Sequence, residues 1–374
     1  MRRDLTLLGI SLMTWGIGEA MFLIFQPLYL QQLGASPVTI GVIFGAAGIA
    51  MTVAHIPAGH LADRIGRKPL LIAAWIIGIA ATWTMALAHS LPLFVMGMLV
   101  YSLTAFVSSP MNSYITAGRG KLTVSRALTL VSAFYNIGAI IGPWLGGRVG
   151  ERYSLQTIYL IAGSLFTVSF IVLLFIKPQP VEINDPNESS NGKFVNRKFI
   201  TYLSVIFIAG FSMYLAQPLS SNYLQNQQHL SLETIGLLGT ISSIGVVILN
   251  LGLGNLKAHV GYLFGQLSVA LFALALWRGT SLPWFCVGYF LIGGYRITRS
   301  LATAQTKNLV HQSRMGLAYG ITETVGSSAV ILAPPLAGYL YQINPSLMYI
   351  VGFGLIVISI LVTALFIPRP KVVM

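Results

Sequence analysis

The chain has 374 residues, 55% of them hydrophobic and only 8% charged, with a mean hydropathy of +0.77. About a quarter of the residues in a water-soluble globule are charged, so that class is excluded and a membrane-embedded protein is indicated. The formal net charge of +13 does not point to nucleic acid, because the basic residues fall in short connections between apolar runs, where they set topology.

Met1-Arg2-Arg3 leads into an apolar run over 5–30. This run is too long for a cleaved leader and carries Glu19, so it is expected to be a retained first helix. Further runs of about 20 residues, the length that crosses a bilayer, fall at 38–62, 69–89, 91–115, 125–147 and 155–177, then at 198–224, 233–256, 260–277, 280–304, 315–340 and 344–368. Lipid offers no partner to backbone polar groups, so such runs must be helices. The expected architecture is all-α and integral to the membrane, with twelve transmembrane helices in two six-helix halves, 1–177 and 198–374. The stretch 178–197, with Glu182, Asp185, Glu188 and Ser189-Ser190-Asn191-Gly192, reads as a cytoplasmic linker. Of the 22 Lys and Arg, all but Arg148, Arg152, Arg278 and the intramembrane Arg296 and Arg299 lie on the side of the N-terminus. That imbalance puts both termini in the cytoplasm of a multi-pass inner-membrane protein.

The polar stretch Gly59-His60-Leu61-Ala62-Asp63-Arg64-Ile65-Gly66-Arg67-Lys68 is expected to be a tight turn. Gly59 and Gly66 permit a reversal, Asp63 can accept from a guanidinium or a helix N-terminus, and Arg64, Arg67 and Lys68 anchor the cytoplasmic side. The pattern resembles the loop between the second and third helices of the major facilitator superfamily of transporters. The resemblance implies a cytoplasmic latch between two halves that alternate between two conformations. It also implies that the first and fourth helices of each half line a central cavity.

The halves repeat. Gln26-Pro27-Leu28 recurs as Gln217-Pro218-Leu219, and Pro143-x-Leu145-x-Gly147 as Pro334-x-Leu336-x-Gly338, both at an offset of 191. Between them the offset grows by four, so that Ile40-Gly41 matches Ile235-Gly236. In the duplicated loop Ala258 and Tyr262 replace Asp63 and Arg67.

In the fifth helix, Gly138-x-x-x-Gly142-Pro143-x-x-Gly146-Gly147 has small residues at helical spacing, which allow close helix approach, and a proline that can kink the axis. It resembles the signature of the proton-coupled antiporters of the superfamily, although Thr129 stands where that pattern has a glycine. Many proton-coupled members carry a buried arginine and a following glycine in the fourth helix. Here those positions hold Tyr101 and Ala105, so the usual relay arginine is missing.

Ionisable residues in apolar runs are costly and face a cavity or a partner. Glu19 is read as a proton carrier, since burial favours a neutral carboxyl while water or a cation favours its anion. Arg296 is a candidate substrate counter-ion, Arg299 shares its helix face at i, i+3, and Glu323 is expected in an ion pair with one of the two. Gln26 and Gln217 lie beside helix-breaking prolines where a binding site needs free backbone, and Tyr101, Asn136, Tyr214 and Tyr295 add polar or stacking surface. Cys286 is the only cysteine, so neither a disulfide framework nor a cysteine-based metal site is expected.

The expected function is secondary active transport of a small organic solute, preferentially proton-coupled efflux by an antiporter. Uptake or facilitated passage of an anionic metabolite or sugar, and a non-translocating membrane sensor, are the alternatives. No nucleophile elbow or phosphate loop suggests an enzyme. The expected partners are the lipid bilayer, a small-molecule substrate and protons, with no nucleic acid and no cofactor, and the chain is expected to act as a monomer.

Overall fold

The computed structural model describes residues 3–179, 197–253, 256, 258–306 and 315–367. Among these the regular elements are α1 (Arg3–Leu23), α2 (Gln26–Gln32), α3 (Pro37–Ile65), α4 (Arg67–Ala86), α5 (Leu91–Leu103), a 3-10 turn (Thr104–Val107), α6 (Ser108–Gly118), α7 (Val124–Arg152) and α8 (Leu155–Leu174). They continue with α9 (Arg197–Leu215), α10 (Ser220–Asn226), α11 (Leu232–Leu253), α12 (Ala258–Arg278), α13 (Leu282–Leu291), α14 (Gly294–Thr306), α15 (Met315–Ile343) and α16 (Leu347–Phe366). Among the described residues ten spans are long and apolar enough to cross a membrane.

Four of the expected continuous runs are broken, at equivalent places in the two sequence halves. The first run stops at Leu23 and restarts at Gln26, because Pro27 has no N–H to continue the ladder. Its repeat stops at Leu215 and restarts at Ser220, around Pro218. The fourth run tightens into the 3-10 turn one helical turn before Pro110, and its repeat is interrupted at Ile292-Gly293.

The expected turn over 59–68 is narrower than the sequence suggested. Gly59, Asp63 and Arg64 all lie within α3, which runs on to Ile65. The side chains of Asp63 and Arg64 fall outside the described part. The reversal is made by Gly66 alone, at φ 85° and ψ 168°, a region open essentially only to glycine. Arg67 then starts α4 and donates to Gln179 Oε1 at 3.2 Å, while Lys68 donates to the Leu174 carbonyl at 3.2 Å. Gln179 in turn donates to the Tyr114 carbonyl at 2.9 Å. The start of the expected linker is thus tied to α4 and α6, and residues 180–196 lie outside the described part.

The contacts define two units that follow the sequential halves with one exchange. Unit 1 comprises 1–35, 46–184 and 229–240, and unit 2 comprises 36–45, 185–228 and 241–374. In unit 1 the opening turns of α11 pack on the end of α7. A methyl on Gly236 would lie 2.4 Å from the Pro143 carbonyl oxygen, and one on Gly147 would lie 2.6 Å from that of Leu232. Thr240 donates to the Ile140 carbonyl at 2.8 Å, the Leu232 N–H donates to Glu151 at 2.7 Å, and Arg148 pairs with Glu233 at 2.9 Å. An acid at a helix N-terminus satisfies an orphan donor and favours the dipole.

Unit 2 repeats the arrangement with the opening turns of α3 on α15. A methyl on Gly41 would lie 2.2 Å from the Pro334 carbonyl oxygen, and one on Gly338 would lie 2.3 Å from that of Pro37. These are the residues paired by the sequence repeat. Both exchanged segments also open on the same cap, in which Ser36 and Ser231 each accept from the backbone three residues on, at 3.2 Å.

Inside each unit a buried polar contact ties helices that lipid would not drive together. In unit 1 Trp75 donates to Ser169 Oγ at 2.9 Å, and Ser169 donates to the Ser11 carbonyl at 2.7 Å. In unit 2 Ser359 donates to Gln266 Oε1 at 2.6 Å, and Gln266 donates to Thr363 at 2.9 Å. Trp75 and Gln266 are 191 residues apart, and Ser169 and Ser359 are 190 apart.

Candidate functional site

The glycines of α7 place the first site. A methyl on Gly138 would lie 2.3 Å from the Met13 carbonyl oxygen, on Gly142 2.5 Å from that of Ile17, and on Gly146 2.2 Å from that of Met21. Three glycines four residues apart therefore meet three carbonyls four residues apart, and the backbones of α1 and α7 run in direct contact. Pro143 does not end α7, which continues to Arg152.

This approach brings the Tyr135 hydroxyl to Glu19, where it donates to Oε2 at 2.8 Å. Tyr101, from α5, donates to Oε1 at 2.8 Å. One carboxyl in the first helix is thus held by two phenols from two other helices. Around it the wall is aromatic: Trp15 stacks on Phe166 at 3.8 Å with the planes 1° apart, and Phe22 meets Tyr101 edge-on at 5.5 Å. A carboxylate here accepts two hydrogen bonds, each worth about 1.5–3 kcal/mol when the acceptor is charged. A neutral carboxyl can keep both partners by turning one contact round, because a phenol both donates and accepts. The two phenols can therefore hold the side chain in either form.

Glu19 and Tyr101 were legible as candidates, and the structure joins them. Tyr135 was not, since the neighbouring Asn136 is the more polar residue; Asn136 sits beside it, partly buried, and it is Tyr135 that reaches the carboxyl. A tyrosine placed seven residues before Gly142, two turns along the glycine face, was the available signal. Changing Tyr135 to Phe in native and Glu19→Ala backgrounds is expected to give a coupling of about 0.6 kcal/mol, the average for hydrogen bonds between membrane helices, and at most about 1.7 kcal/mol. The readout is a double-mutant cycle on unfolding in detergent, and zero coupling would mean that the contact carries no energy.

The remaining candidates fall elsewhere. Gln26 is buried, 5% exposed, at the first position of α2. Gln217 turns back to donate to the Met213 carbonyl at 2.8 Å, so its side chain closes the end of α9.

In unit 2 a small, partly open pocket of about 30 Å³ is lined by Ile206, Met213, Tyr262, Tyr295, Arg299 and Glu323, with Gly210 and Gly326 in its walls. Arg299 donates from Nη2 to Glu323 Oε2 at 2.9 Å, with 46% and 44% of the two side chains exposed. Of the two arginines expected to compete for Glu323, Arg299 makes this bridge; Arg296 is exposed one turn earlier. Tyr214 and Tyr295 meet at 5.6 Å between ring centres. Tyr262, which stands where the first half has Arg67, has become part of this lining. Among the described residues no group of three or more His, Cys, Asp or Glu could hold a metal ion.

Comparison with known proteins agrees with this architecture over the whole chain. The chain is 22% identical to multidrug resistance protein 2 of Bacillus subtilis over 365 residues, covering 91% of this chain and 90% of that protein. It is 21% identical to the quinolone resistance protein NorA of Staphylococcus aureus, covering 92% and 91%. Among solved structures, a mutant of the nucleoside transporter NupG superposes with a TM-score of 0.86 at 13% identity, over 98% of this chain and 100% of that one. A mutant of the peptide transporter POT gives 0.79 at 13% identity, over 98% and 94%. The family model described as Major Facilitator Superfamily matches residues 8–206 and 202–374. With its all-helical fold and its paired six-run repeat, the chain belongs to the Major Facilitator Superfamily and is a multi-pass membrane transporter.

Proposed function

We propose that the chain exports a small organic solute in exchange for protons, by alternating access between the halves 1–177 and 198–374, from the inner membrane and with both termini in the cytoplasm. The observation that carries this reading is the carboxyl of Glu19, held by Tyr101 and Tyr135 among the aromatic side chains of the first bundle. An ionisable group kept inside apolar helices is costly, and a proton relay is one of the uses that maintain it. The full-length similarity to a multidrug and a quinolone resistance protein supports the outward direction.

In this reading a proton arriving at Glu19 neutralises the carboxyl, and the tyrosines keep it in place while the surroundings change from wet to dry. Release on the other side restores the anion. The glycine contacts at Gly41, Gly147, Gly236 and Gly338 seal the outer face until those segments withdraw. The turn at Gly66, with Arg67 and Lys68, belongs to the inner latch. The 178–197 stretch serves as the linker, and the protein works as a monomer.

The test is a flux measurement on purified protein in sealed vesicles containing a pH-sensitive dye. Addition of a transported solute on the cytoplasmic-facing side is expected to move protons in the opposite sense to the solute. Protons moving with the solute would replace export by uptake as the working direction, and solute flux without proton movement would remove the coupling. Binding without flux in either direction would favour a sensor.

A further inference from the structure

Two buried hydroxyls play no part in a mechanism that runs through Glu19, and they occupy equivalent places in the two halves. Tyr159 of α8 and Tyr349 of α16 lie 190 residues apart, the same separation as Ser169 and Ser359 on the same two helices. Both tyrosines are 0% exposed, and neither hydroxyl has a hydrogen-bond partner among the described residues. Thr82 is also unmet, but the position 191 residues on holds Ala273, so it has no twin. A buried hydroxyl without a partner is a cost to the state that contains it, and here that cost appears twice at matched positions.

Each tyrosine faces the break in the first run of its half. The Tyr159 ring spans the break, with Phe22 of α1 at 5.1 Å and Tyr29 of α2 at 5.4 Å between ring centres. Tyr349 packs on Tyr223 of α10 at 4.8 Å. One turn along α16, a methyl on Gly352 would lie 3.2 Å from Ala216 Cβ, within the break itself. The short helix beside each tyrosine also carries a hydroxyl, Tyr29 in α2 and Ser220 in α10, 191 residues apart. Ser220 lies alongside the Tyr349 hydroxyl without forming a hydrogen bond to it. It donates its own proton to the Ala216 carbonyl at 2.9 Å, which leaves its oxygen able to accept. Pro27 and Pro218 interrupt the backbone ladder at the breaks, so a turn of either seven-residue helix disturbs few backbone bonds.

We infer that Tyr159 and Tyr349 are switching partners of the half-helices α2 and α10: unmet while the outer face is shut, each pairs with the hydroxyl of Tyr29 or Ser220 when the half-helix turns about its break and that face opens. The inference rests on the alternating-access reading. It adds a pair of latches that favour the open state and belong to neither the proton site nor the glycine seal.

The experiment compares Tyr159→Phe and Tyr349→Phe in purified full-length protein, with two measurements. The first is the thermal unfolding midpoint in detergent, with Tyr114→Phe as reference, because the buried Tyr114 hydroxyl donates to the Lys177 carbonyl at 2.7 Å. Tyr114→Phe should lower the midpoint, whereas Tyr159→Phe and Tyr349→Phe should leave it unchanged or raise it. The second is the separation of spin labels on His89→Cys and Thr280→Cys in a Cys286→Ser background; both sites are exposed and lie 191 residues apart in outer connections. Each Phe variant is expected to lower the ratio of long to short separations at least about tenfold, equivalent to about 1.4 kcal/mol. A fall in midpoint as large as that of Tyr114→Phe would show a hydroxyl already bonded in the shut state, to an internal water for example, and would overturn the proposal. Two native populations whose ratio ignores both substitutions would overturn this inference alone. A single separation in the native protein at every pH and solute concentration would remove the alternating-access reading, and this inference with it.

Discussion

Leucine in place of Gly146 is expected to reduce recovery of monodisperse protein in detergent to a small fraction of native and to abolish transport. Leucine in place of Gly354, which has nothing within 4 Å of an added Cβ, should leave both intact. At position 146 even a methyl would lie 2.2 Å from the Met21 carbonyl oxygen and 2.9 Å from its carbon. Those are backbone atoms of a packed helix and cannot rotate aside, so α1 and α7 must part by more than an ångström. Overpacking of this kind costs about 1–3 kcal/mol or more. Within lipid, helix association depends on close packing rather than on expulsion of water, so little compensates for the loss. The displacement would also spread to the contacts of Gly142 with Ile17 and Gly138 with Met13, and to the Tyr135–Glu19 hydrogen bond. Size-exclusion profiles and thermal unfolding of the two leucine variants make the comparison. An unchanged Gly146→Leu midpoint would refute the account of why α7 is rich in glycine.

Glu19→Gln should cut solute accumulation driven by a pH gradient at least about tenfold, a change of about 1.4 kcal/mol, while solute-for-solute exchange persists. Glutamine has nearly the same shape and can keep hydrogen bonds with both phenols, accepting one and donating to the other's oxygen. The frame therefore survives and only the titration is removed. A hydrophobic replacement would confound that comparison by leaving the phenols without a partner. Accumulation and exchange measured on the same vesicles separate a coupling defect from a folding defect. Equal accumulation by native and Glu19→Gln protein would move proton coupling to another residue.

How much of this was legible depended on whether a signal was local. The six-run repeat and the Gly138–Gly147 face are patterns of hydropathy and side-chain size, and both reappear as geometry. The breaks beside Pro27 and Pro218 were announced by the prolines. The 3-10 turn before Pro110 was announced in the same way, by a proline flanked by Ser108, Ser109, Asn112 and Ser113, yet the run 91–115 was read as continuous. The stretch 59–68 misled because Gly59 looks like part of a turn, whereas a glycine with helical neighbours on both sides can stay helical and only Gly66 takes a positive φ. Tyr135 and the choice between Arg296 and Arg299 were not legible. Each depends on the rotation of one helix against another, which glycine contacts several residues away determine.

The exchange of 36–45 and 229–240 between units bears on biosynthesis. Unit 1 includes residues up to Thr240, so a nascent chain that has just finished its sixth apolar run still lacks the 229–240 segment that packs on the end of α7. The contacts of Gly147 with Leu232 and of Gly236 with Pro143 can therefore form only once the eighth run has begun to emerge from the ribosome.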